Sequence, residues 1–212
     1  MTALPRRIQS ARVMLREPQP ADADAVFAGY ASQADVLRYL DWPVQQSVAD
    51  VRRLLSHELH RWLKDSAWVW MMVVTSESAA PSPGTVIGQI ELRPLTYPAG
   101  SAHALRIGYV LAPAFQGRGL MREAIEAVMT HAFTALPSVW RIEAYCDVDN
   151  LSSARLLERV GLHREGVARR AVVHPHVSSE PRDAYLYAVT RDQWAASAQA
   201  TGVLSAGTDR SR

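Results

Sequence analysis

Apolar positions recur along most of this chain at spacings that separate helices from strands. "ARVMLREP" reads as a short strand over Arg12–Arg16, closed by Pro18, and "PADADAVFAGYASQADVLRYL" reads as helical in two pieces. Asp22 and Asp24 suit a first turn, where carboxylates face exposed backbone N–H groups. The clearest helix is "SVADVRRLLSHELHRWLKD": Val48, Val51, Leu55, Leu59 and Trp62 form one stripe, and Ser47 with Asp50 resembles a capping box. "AWVWMMVVT" is rich in aromatic and β-branched residues and predicts a central strand. "TVIGQIEL" and "HALRIGYVL" predict two more, separated by "RPLTYPAGSA"; "SESAAPSPG" is a loop by composition.

A helix follows through about Ala135, with Met121, Ile125, Val128, Ala132 and Leu136 on one face. In the strand "RIEAYCD", Ile142, Ala144 and Cys146 point one way while Glu143, Tyr145 and Asp147 point the other. "NLSSARLLERVG" is a short helix with Asn150 or Ser152 as its N-cap and Gly161 as its stop. "LHREGVARRAVV" and "RDAYLYAVT" finish as strands around the loop "HPHVSSEP". The order predicts one mixed α/β (α+β) domain over residues 11–195, with residues 1–10 and 196–212 weakly ordered. Three strands in series favour antiparallel pairing, and no linker or internal repeat divides the chain.

Composition narrows the function less than the pattern does. At 212 residues the chain can bury one well-filled core, and a net charge of +2 gives no reason to expect a nucleic-acid partner. Only Lys64 among the 23 basic residues is lysine. Cys146 is the single cysteine, so neither a disulfide framework nor a cysteine-based zinc site is expected. His174-Pro-His176 has no third ligand at recognisable spacing, and no metal is expected. The start lacks the apolar run of a signal peptide, and no apolar segment approaches the roughly 20 residues of a membrane span. The expectation is a soluble cytoplasmic protein without a membrane partner. Monomer and homodimer are both left open.

The stretch "VLAPAFQGRGLMREAI" carries the chemistry. Gly117 and Gly119 can adopt positive φ and let the backbone come close to a ligand. N–H groups of the turn and of the next helix then converge on one point, an anion site reinforced by the helix dipole and by Arg118. A tight turn whose glycines serve geometry alone is the competing explanation. A P-loop would need a lysine that is absent, and a dinucleotide fingerprint would need glycine where Arg122 stands.

"RIGYVLAPAFQGRGLMREAIEAVMTHAF", followed by "RIEAYCDVDNLSSARLLERVGLHREG", resembles the acetyl-CoA core of the GNAT N-acetyltransferases. Within them it is most similar to the Rim-type branch, which acetylates ribosomal-protein N-termini. The match spans about Ile87 to Gly166, with "VMLREPQPADADAVF" as a weaker echo. It implies a mostly antiparallel sheet, flanked by helices and splayed between its fourth and fifth strands. Tyr109, Val110 and Leu111 are then expected to contact pantetheine and the acetyl group through main-chain atoms. The N–H groups of Gln116, Gly117, Arg118, Gly119, Leu120 and Met121 are expected to hold the pyrophosphate. Asn150 and Ser153 match the family's polar pair beside the thioester.

The implied reaction is direct acetyl transfer from acetyl-CoA to an amine acceptor, a protein or peptide N-terminus before a small-molecule amine. Ser153 is the expected proton donor to sulfur, with helix capping as its competing role. The base departs from the pattern. Arg106 stands where many relatives carry glutamate, and a second family glutamate is replaced by about Val172. Glu91 is the best remaining carboxylate, with Tyr145, His174 and His176 as further candidates. The missing glutamates leave a non-catalytic acyl-CoA sensor as the alternative from another class.

Overall fold

The computed structural model describes residues 4–75, 84–95 and 103–200. The loops read at 76–83 and 96–102 and the tail beyond 200 lie outside these. Eight strands form one sheet: β1 (Arg7–Gln9), β2 (Val13–Arg16), β3 (Trp68–Val74), β4 (Val86–Leu95), β5 (Ala104–Leu111), β6 (Arg141–Asp147), β7 (His163–Val172) and β8 (Arg182–Thr190), in the order β1-β2-β3-β4-β5-β6-β8-β7. Every pairing is antiparallel except β5 with β6. The helices are α1 (Ala23–Val26), α2 (Val48–Leu63), α3 (Leu120–Ala135), α4 (Leu151–Arg159) and α5 (Arg191–Ala200). A 3-10 turn at Pro20–Asp22 precedes α1, and a π-helical turn at Phe27–Ala31 follows it.

The apolar pattern becomes the core. All seven residues of β3 are buried, as expected of a strand covered on both faces. Val51, Leu55 and Trp62 of α2 are buried, and Trp62 packs edge-on against Trp70 at 5.1 Å between ring centroids. Met121, Ile125, Val128 and Ala132 of α3 are buried in the same cluster. Ser47 caps α2 by accepting the Asp50 N–H, as its position in the sequence indicates.

Three expectations need correction. Of the segment 1–10, expected to be weakly ordered, residues 4–10 are built into the fold, because β1 pairs with β2 and both Leu4 and Ile8 are buried. With one inward residue, a three-residue strand has no period to detect. The splay consequently falls between the fifth and sixth strands in chain order. The second helical piece after Ala31 is a series of turns. There Ser32 Oγ donates to the Phe27 carbonyl, while Gln33 Nε2 donates to those of Ala28 and Gly29, which satisfies the last helical acceptors and lets the chain leave.

The third correction is α5, which runs to Ala200 through the point where a loose tail was expected. Thr190 and Gln193 cap its start reciprocally, and Trp194 lies against Phe133 at 6.2 Å. Arg191 at its head donates to the carbonyls of Leu136 and Val139 and also to Phe133 O. A cation thus satisfies the C-terminal carbonyls of α3, where the helix dipole favours positive charge. Arg191→Ala is expected to cost about 2–3 kcal/mol, since charged hydrogen bonds are lost and buried acceptors left open; urea unfolding of the two proteins checks this.

Candidate active site

The site begins where β5 leaves β6. The two are paired only at Ala104–Arg106 with Arg141–Glu143, whereas β5 runs on to Leu111 and β6 to Asp147. From Ile107 onward β5 therefore presents backbone that β6 does not pair, a wedge open at its C-terminal end. Gln116 Nε2 donates to the Leu111 carbonyl and ties the next turn to the strand's last residue.

That turn has the geometry its glycines promise. Gly117 and Gly119 have φ of 74° and 76°, in the left-handed region that side chains resist. Gly119 is the N-cap of α3, and no side chain caps the helix. The first N–H groups of α3, from Leu120 onward, have no carbonyl within the helix to meet. Arg12, just before β2, braces the turn: it donates through Nη1 to the Arg118 carbonyl at 2.9 Å and pairs through Nε with Glu123 at 2.8 Å. Ser10 Oγ completes the brace on Glu123 at 2.6 Å.

A cavity of about 310 Å³ opens on one side of the wedge, with Gln89, Glu91, Arg93, Arg106, Tyr145 and His174 in its wall. Alternation puts Gln89, Glu91 and Arg93 on one face of β4, and the register sets Val110, Gly108 and Arg106 beside them. Trp42 also lines it, and His176 Nε2 meets the Trp42 carbonyl at 3.0 Å, so the β7–β8 loop closes against the segment before α2.

The cavity wall explains the missing family glutamate. Arg106 pairs with buried Glu143 at 2.8 Å and lies over the Tyr145 ring at 4.5 Å. Val172 lies in the same wall and supplies no charge. Glu91 lines the cavity but its Oε1 accepts from Arg61 at 2.7 Å, and the same guanidinium holds Glu58. Taking up a proton at that oxygen would break the ion pair, which opposes the basic role expected of Glu91.

The other face of the wedge carries hydroxyls. Tyr109 and Ser153 meet at 2.7 Å between their oxygens. Burial pushes the Tyr109 phenol well above its ordinary range, and the contact with Ser153 only partly offsets this, so it stays protonated at neutral pH. Asn150 is the N-cap of α4, its Oδ1 accepting from the Ser153 N–H at 3.2 Å. Cys146 is buried beside them, and its burial raises the thiol above its usual value. The Tyr109 hydroxyl escapes a sequence argument that assigns this residue main-chain contacts alone. Its strand parity, opposite to that of Arg106 and Gly108, is the signal that could have found it.

Where His174 forms the cavity wall, a buried charge cluster lies behind it. Asp147 is wholly enclosed; Arg182 Nε lies 2.6 Å from it and His174 Nε2 3.4 Å. Burial works against its charge, but the Arg182 hydrogen bonds and the Asp149 N–H hold its carboxyl below the usual range. A depressed carboxylate adds stability above its unfolded value, about 3.9, and loses it as pH falls through the folded one. Urea stability is therefore expected to drop below about pH 4 in the wild type, and less steeply in Asp147→Asn. Arg169 and Arg170 pair with Asp183 and Glu180 on an exposed face, as a solvated arginine run should.

Among the described residues no three His, Cys, Asp or Glu side chains are grouped to hold a metal, and no helix is long and apolar enough to cross a membrane. Residues 12–163 match the family model described as Acetyltransferase (GNAT) domain. The uncharacterized N-acetyltransferase YnaD of Bacillus subtilis (strain 168) is 26% identical over 187 residues, 88% of this chain and 98% of that protein. The [ribosomal protein uS5]-alanine N-acetyltransferase of Escherichia coli (strain K12) is 34% identical over 95 residues, 45% of this chain and 47% of that one. Among solved structures, Mycobacterium smegmatis RimJ in complex with CoA-disulfide superposes with a TM-score of 0.73 at 24% identity, covering 90% of this chain and 89% of its own. The splayed sheet, the glycine turn heading α3 and this family match lead to one conclusion: the chain belongs to the GNAT acetyltransferase family and is an acetyl-CoA-dependent N-acetyltransferase.

Proposed function

We propose that the protein transfers acetyl from acetyl-CoA to the amino terminus of a protein or peptide, in the cytoplasm, directly and without a covalent enzyme intermediate. The observation that carries the cosubstrate's placement is the continuity of three features. The positive-φ turn at Gly117–Gly119 and the uncapped start of α3 suit a diphosphate, and the unpaired edge of β5 leads from them to the cavity. Main-chain atoms of Tyr109, Val110 and Leu111 would hold the pantetheine arm. The N–H groups from Gln116 to Met121 would hold the diphosphate.

Acetyl-CoA supplies an activated thioester; the chain's own residues bind, orient and move protons. N–H groups of β5 near Val110 would stabilise the oxyanion, a contribution of about 3 kcal/mol in comparable sites. The Tyr109–Ser153 pair would return a proton to sulfur. Asn150 orients Ser153 by capping α4.

The protein N-terminus as acceptor rests on the name of a relative, the [ribosomal protein uS5]-alanine N-acetyltransferase of Escherichia coli. Thiol release from acetyl-CoA tests it. Peptides with free N-termini should support turnover, and the same peptides acetylated at the N-terminus should not. Turnover restricted to polyamines or other small amines would replace this acceptor class with the second one.

A further inference from the structure

His174 is the group whose surroundings the fold does not explain. It is 6% exposed, follows β7 and lines the acceptor cavity. Its polar neighbours are the Asp147 carboxylate and the Leu40 carbonyl, but among the described residues neither ring nitrogen completes a well-formed hydrogen bond. That is uncommon for a buried imidazole, since leaving a polar group unsatisfied costs roughly 1–3 kcal/mol. The ring is nonetheless held firmly. Tyr39 packs edge-on at 5.8 Å, Asp147 stands 3.4 Å from Nε2, and His176 two residues on is fastened to the Trp42 carbonyl. An oriented imidazole beside a buried carboxylate, on the wall where an amine must enter, is the arrangement of a base rather than of a packing residue.

We propose that His174 is the general base that takes the proton from the acceptor's ammonium group. This rests on the acetyltransferase function proposed above and supplies the base that Arg106 and Val172 leave vacant. The proton balance is complete. The ammonium gives one proton to the imidazole, the neutral amine attacks the thioester carbonyl, the C–N bond forms and the C–S bond breaks. The second nitrogen proton leaves as the amide forms and replaces the one that the Tyr109–Ser153 pair gives to the thiolate, while the imidazolium releases its own to solvent. One proton is released per turnover.

The charges facing His174 decide its state at rest. Burial pushes its pKa down; Asp147 on β6, the Leu40 carbonyl and Asp41 push it up, and Arg182 on β8 pushes it down. The outcome lies below the usual 6.5, so the ring is neutral at pH 7 and able to accept. Its positively charged form is then held by Asp147 while the amine reacts. Glu91 differs in that its oxygen already carries the Arg61 contact.

The test compares kcat as a function of pH for the wild type and His174→Asn, with acetyl-CoA and a peptide amine at saturation. The wild type is expected to lose kcat on an acidic limb displaced below 6.5, the ordinary imidazole value, as the depressed His174 takes up its proton. The variant should bind acetyl-CoA unchanged, lose about 10²-fold in kcat at pH 7, lack that acidic limb and regain rate with added imidazole. A folded variant within threefold of wild-type kcat, or one that keeps the same limb, overturns the assignment. A drop in kcat with the limb intact and no response to imidazole gives His174 a positioning role and also overturns it. No turnover by the wild type with any amine defeats the acetyltransferase function and this base together; loss confined to the variant leaves that function standing.

Discussion

Gly119→Val is expected to reduce coenzyme A affinity at least a hundredfold. Its φ of 76° is a conformation that costs an ordinary L-residue about 1–2 kcal/mol and a β-branched one more. A Cβ at this position would also meet Arg12 Nη2 at 3.4 Å, inside the brace that holds the turn to β2. The turn would relax toward negative φ and its N–H groups would no longer converge. Losing two hydrogen bonds to a charged group is worth about 3–6 kcal/mol, a hundredfold or more in Kd. Gly166→Ala is the control: this glycine lies in β7, has no positive φ, and a Cβ there has nothing within 4 Å. Calorimetric titration of both folded variants checks the pair, and equal affinities would remove the diphosphate from this turn.

Ser153→Ala is expected to lower kcat by about 10² while leaving the affinity for acetyl-CoA nearly unchanged. The hydroxyl is one half of the 2.7 Å contact with Tyr109, and either oxygen of that pair would pass the proton that sulfur needs. Capping is done by Asn150, whose Oδ1 accepts the Ser153 backbone N–H, so the alanine variant keeps its cap. A loss of helix stability therefore does not account for a fall in turnover. Tyr109→Phe should show the same pattern, since either oxygen can be the donor in this pair. Unchanged turnover in both variants would return the two hydroxyls to packing.

What the sequence made legible follows from the range over which its signals act. The glycine turn, the capped start of α2 and the Asn150 cap of α4 are local, fixed by residues within four positions, and each has the form its sequence indicates. The long strands β3 to β6 likewise announce themselves by composition and alternation. Elements fixed by distant partners did not. β1 depends on Ile8 reaching the core beside Leu15, and α5 on Arg191 finding the end of α3 some 50 residues earlier along the chain.

The site divides in the same way. The candidates for the diphosphate and pantetheine lie on one contiguous stretch, whereas the groups around the acceptor come together from β4, β5, β6 and the loop after β7. That Arg61 neutralises Glu91, and that His174 is buried beside Asp147, are facts of residues 30 and 27 positions apart. No spacing rule predicts pairs of this kind, because register and burial set them.

The placement of the cosubstrate is tested most directly by backbone amide spectra of the folded protein during titration with coenzyme A. The largest saturable shifts are expected at residues 116–121 and along 107–111, together with Ser153. Saturable binding that leaves those amides unmoved and shifts a different surface would contradict it.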